Sequence, residues 1–79
     1  MSSVEQAFAK RLDSCERLLK AEREAIEKAD ADSIENILSL KDDAFDKLRE
    51  AGENLDSPPT ENPSFATRLE NIFASQQAN

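Results

Sequence analysis

Between residues 18 and 48 the chain reads LLKAEREAIEKADADSIENILSLKDDAFDKL, and its apolar positions mirror one another about the short stretch ADAD at 29–32. Residue i answers residue 63 − i. Ala29 faces Ile34, Ile26 faces Ile37, Ala25 faces Leu38, Leu19 faces Ala44, Leu18 faces Phe45, Cys15 faces Leu48 and Leu12 faces Ala51. On each side of the turn these residues recur at three and four, the spacing of one helix face. A chain with that symmetry folds as an antiparallel helical hairpin with a coiled-coil-like seam. Asp32, with Glu35 three positions on, has capping-box spacing and is the expected N-cap of the second helix.

One mirrored pair is not apolar. Glu22 falls within the first seam, Phe8, Leu12, Cys15, Leu19, Glu22, Ile26 and Ala29, and Lys41 within the second, Ile34, Leu38, Lys41, Phe45 and Leu48. The two side chains are expected to meet as a structural ion pair. In one reading they form a half-exposed pair, long stems snorkelling outward, that adds little stability. In the other they fix register, because a slipped hairpin would leave each charge without its counterpart.

Around this seam the chain divides into three parts within one all-α domain: a hairpin over 1–52, a proline-containing linker over 53–62, and a short amphipathic helix and tail over 63–79. Ser2 or Ser3 can cap a first helix running from about Val4 to Ala29. Asp13–Arg17, Glu16–Lys20 and Glu24–Lys28 are acid-before-base pairs along it. The second helix is expected over 33–51, closed by Gly52, the only glycine, in a left-handed C′ position. Its apolar face is too broad for one partner helix, since Ile37, Leu40, Ala44 and Ala51 extend it sideways. Pro58 and Pro59 break the pattern. Asn62–Pro63 then restarts it with an N-cap and a proline at the first helical position. Phe65, Leu69, Ile72 and Phe73 lie on one side of a helix ending near Ser75 or Gln76, too short to be stable alone. It is expected either to pack on the Leu40/Ala44 flank, in its own subunit or a symmetry mate, or to bind a partner. Leu40, Ala44, Phe65, Leu69, Ile72 and Phe73 are therefore the candidate partner-binding residues.

Composition excludes several roles. The net charge of −7 is concentrated in residues 30–51, with seven acids against three bases, and 52–62, with three acids and no base. That acidity argues against nucleic acid and against anionic membranes. No histidine is present, and one glycine cannot build a phosphate loop. The acids at Asp30/Asp32 and Asp42/Asp43/Asp46 lack the spacing of a calcium loop and read as caps and solvated faces. A chain of 79 residues is too small to enclose a catalytic cleft, so no enzyme activity, cofactor or metal is expected. Cys15 lies on the seam and reads as a small buried hydrophobe. The N-terminal MSSVEQAFAKR lacks the apolar core of a signal peptide, and no stretch has the length of a membrane span, so a cytoplasmic protein without membrane insertion is expected.

The run from Leu18 to Leu48 resembles the FlgN-type flagellar export chaperones. In those proteins a helical hairpin carries Leu-Leu, a following Glu, a short acidic turn and a Lys in the next helix. Leu18, Leu19, Glu22, Asp30/Asp32 and Lys41 look like that pattern, and RLENIFASQQAN resembles the beginning of the family's third helix. The resemblance implies a small cytosolic chaperone that binds an amphipathic helix of a flagellar or secretion substrate. From the residues alone two classes stay open. One is a helix-in-groove protein-binding module. The other is a self-associating structural protein, a homodimeric helical bundle whose exposed flanks cover each other.

Overall fold

The computed structural model describes residues 2–78 and is all-α: α1 (Ser3–Glu27), α2 (Ala31–Glu53), a single 3-10 turn (Pro59–Glu61) and α3 (Pro63–Ala78). α1 and α2 form the antiparallel hairpin, and α3 folds back onto them in the same chain. The molecule is elongated, 41 × 19 × 16 Å. Among the described residues, no helix is long and apolar enough to cross a membrane.

Ser2 caps α1 through a capping box. Its hydroxyl accepts from the Glu5 N–H at 3.3 Å, and the Glu5 carboxylate accepts from the Ser2 N–H at 3.1 Å. The hairpin turn is tighter than the sequence suggests, because the N-cap of α2 is Asp30 and not Asp32. The Asp30 carboxylate accepts from the Ser33 N–H at 3.2 Å and from the Ser33 hydroxyl at 2.7 Å. A Schellman closure of α1 allows this early start. The Ala29 N–H donates to Ile26 and the Asp30 N–H to Ala25, at 3.1 and 2.9 Å. Ala29 takes the left-handed position at φ 55°. A glycine would sit there without the steric cost that Ala incurs.

Gly52 does not take the left-handed role expected of it. No glycine has positive φ, and α2 continues through Glu53 to a right-handed C-cap at Asn54. The glycine serves close approach instead, because a Cβ at Gly52 would stand 3.3 Å from the buried ring of Phe8, which would have to give by a few tenths of an ångström. Across the linker, the Asn62 carboxamide accepts from the N–H groups of Ser64 and Phe65 at 3.0 and 3.3 Å, making it the expected cap of α3.

The core is one cluster of Phe8, Leu12, Cys15 and Leu19 from α1, Ala44 and Leu48 from α2, and Phe65 and Ile72 from α3. The rings of Phe8 and Phe65 meet at 4.9 Å between centroids with a 58° tilt. Cys15 is enclosed, and burial pushes its thiol pKa up, with Glu16 adding to the effect.

Candidate functional site

α3 was expected on the Leu40/Ala44 flank. It lies instead along α1 and the other side of α2. Phe65 meets Phe8, Arg68 reaches Asp13 and Glu16, and Ile72 and Ser75 border the same groove as Leu19 and Arg23. The order shows α3 running parallel to α1 and antiparallel to α2. The Arg68 guanidinium fixes that register. Its Nε donates to Glu16 at 3.2 Å, and its Nη2 donates to both Asp13 and Glu16. Asp13 and Glu16, expected to pair with Arg17 and Lys20 along the helix, thus serve a tertiary contact. Hydrogen bonds to Glu16 and then Asp13 raise the Arg68 pKa further against the lowering effect of burial.

The placement divides the candidate partner-binding residues. Ala44, Phe65 and Ile72 are core residues of this chain, 8%, 3% and 1% exposed, and offer nothing to a partner. Ala44 is buried where α2 meets α1, and Phe65 and Ile72 because α3 docks in its own subunit with that edge inward. Leu69 is half-buried, while Leu40 and Phe73 are 53% and 59% exposed. Leu40 and Phe73 do not share a surface. Leu40 lies about 100° from Lys41 on one side of α2, whereas Phe45 and Arg49, on the α3 side, lie about 40° and 80° from it in the opposite sense.

Phe73 stands at the lip of an open apolar groove of about 590 Å³ between α2 and α3. Phe8, Phe45, Leu48, Gly52, Pro59 and Leu69 line its walls, and Arg49, Glu53 and Gln76 stand among them as the polar groups. By their spacing Phe45 and Leu48 belong to the α1–α2 seam, and Pro59 to a linker. The signal available was the row Leu38, Phe45 and Gly52, spaced by seven, which runs along the α3 side of α2.

The Glu22–Lys41 pair is present and buried. The Lys41 ammonium donates to both oxygens of Glu22, at 3.1 and 2.9 Å, and the two residues are 4% and 6% exposed. The expectation of a half-exposed pair with outward stems is thereby corrected. Ser75 shares a groove with Leu19 and Arg23, so the last turns of α3 reach the level of the pair.

No family model, no curated protein and no solved structure matches this chain.

Proposed function

We propose that this protein is a small helical protein-binding module whose α2–α3 groove receives one amphipathic helix of a partner. The observation that carries this reading is Phe73, more than half exposed at the lip of an apolar groove in a chain with only four aromatic residues. A phenylalanine left fully in water forgoes about 1.5–3 kcal/mol of burial, and a partner's apolar stripe would recover part of that at Phe73. The groove is open along its length, floored by helix ridges, and poor in the polar groups that orient a small metabolite. The resemblance to FlgN-type chaperones makes a flagellar or secretion substrate the first partner to try, and a cytoplasmic location goes with that reading.

The exposure of Leu40 on the flank away from α3 supports a second reading, a homodimer held through that flank. Sedimentation equilibrium and thermal melts, with and without a helical amphipathic peptide, separate the two. A binding module stays monomeric and melts higher with peptide, and Phe73→Asp abolishes the rise while Leu40→Asp does not. A dimer melts higher as its own concentration rises, ignores the peptide, and is dispersed by Leu40→Asp.

A further inference from the structure

Asp42, Asp46, Arg49 and Glu53 follow one another at four, three and four along α2, so they form a single row beside the Leu38–Phe45–Gly52 row at the groove. All four are exposed. The only cation among them is already engaged, its guanidinium 3.6 Å from both Asp46 and Glu53. On the opposite wall Glu70 is exposed one turn before Phe73. The rim therefore sets four carboxylates against one compensated arginine around an apolar floor. Along α2 the groove is lined from Phe45 to Glu53, about 12 Å, and Leu38, 48% exposed, continues its row beyond the groove toward the turn.

Resting on the helix-in-groove reading, we propose that the occupant is a cationic amphipathic helix that seats about two turns in the groove, its apolar stripe bordered on both sides by Lys or Arg. A second copy of this chain does not meet that description. It carries −7, and most of its exposed apolar side chains stand among acids: Leu38 near Glu35 and Asp42, Leu40 near Asp42 and Asp43, Phe73 near Glu70. Two copies seated groove to groove would bring carboxylate rows together. The rim charges are solvent-exposed, so each contributes modestly and is screened by salt, but several acting together change affinity and speed encounter.

The test uses two synthetic helical peptides with the same apolar stripe, one flanked by Lys and one by Glu, titrated calorimetrically into the full chain. At about 20 mM salt the Lys-flanked peptide is expected to bind about tenfold tighter or more, with the advantage shrinking at about 0.5 M. Phe73→Asp should weaken both peptides. The triple variant Asp42→Lys, Asp46→Lys, Glu70→Lys, altered only at exposed positions, should reverse the preference. Equal affinities at low salt, or a preference the triple variant leaves intact, would overturn the cationic helix and leave the groove reading standing. If neither peptide binds while circular dichroism shows a folded protein, both fall. Self-association abolished by Phe73→Asp would assign the groove to a second copy and overturn the proposal.

Discussion

Leu12, Leu19 and Ile26 occupy one row of α1, two turns apart, yet they are 0%, 4% and 45% exposed. The only difference between them is what lies over the row. At the base of the hairpin α3 covers it, and three helices close a common cluster. Toward the turn there is no third layer, because α3, at about 24 Å, is shorter than the roughly 37 Å of α1. There the hairpin buries at most one member of each mirrored pair: Ile37 but not Ile26, Ala25 but not Leu38, and neither Ala29 nor Ile34. Two helices in contact cover a narrow stripe on each, and the residue beside the stripe stays wet. The base is thus a core in the ordinary sense, the turn end is a two-helix ribbon, and the Glu22–Lys41 pair sits between them. A hairpin slipped at this boundary would separate two buried charges, a cost expected to favour the observed register where apolar contacts thin out.

The largest effects should come from the base. Phe8→Ala removes the ring that meets Phe65 and fills the space over Gly52, and it should cost about 3–5 kcal/mol, enough to leave so small a domain largely unfolded. The same truncation at the turn end, Leu38→Ala, should cost less than about 1 kcal/mol by urea denaturation. Equal losses would erase the distinction between core and ribbon.

At the boundary, Lys41→Met takes away the ammonium facing a buried carboxylate and should cost about 2–4 kcal/mol, whereas Glu22→Gln with Lys41→Met should recover a large part of that. A double-mutant cycle measures the coupling; a value indistinguishable from zero would remove the register role. Arg68→Gln should loosen α3 by about 1 kcal/mol, less at high salt, because Asp13 and Glu16 are partly solvated. Hydrogen exchange should then rise in α3 ahead of the hairpin.

Smaller changes belong to the turn. Ala29→Gly should stabilise the hairpin by about 0.5–1 kcal/mol, since the left-handed strain relieved exceeds the entropy glycine adds to the unfolded chain. Hydrogen bonds from Ser33 hold the Asp30 pKa below the ordinary carboxylate range, and those from Ser2 do the same for Glu5. A depressed folded pKa means that this capping stability is present above about pH 4 and is lost as pH falls through the folded values. Asp30→Asn should therefore lower Tm at neutral pH and have a diminishing effect on acidification. A Tm difference independent of pH would show that the cap does not act through its charge.

Much of the hairpin was legible in the residues. The mirror rule correctly joins Glu22 with Lys41 and brings Leu19, Ala44, Cys15 and Leu48 into one cluster, because helix period and antiparallel packing together leave one register that buries all of them. The cap of α3 was legible too, since Asn62–Pro63 is a local signal. The turn was misjudged by two residues because a Schellman closure with Ala at φ 55° is carried by backbone bonds that Asp30 and Asp32 do not distinguish. The Gly52 error has the same form: the residue type showed that something special happens there, and only the position of Phe8 showed that it is close approach.

The sequence by itself determined the helices, the hairpin register and the meeting of Glu22 with Lys41, because each follows from spacing along the chain and a two-body contact. Tertiary structure alone decided which flank of the hairpin α3 covers. Both flanks of α2 are apolar, and periodicity cannot rank them. The choice rests on contacts between residues far apart in sequence, Arg68 with Asp13 and Glu16, and Phe65 with Phe8. That choice buries Phe65 and Ile72, leaves Leu40 and Phe73 on separate surfaces, and creates the groove.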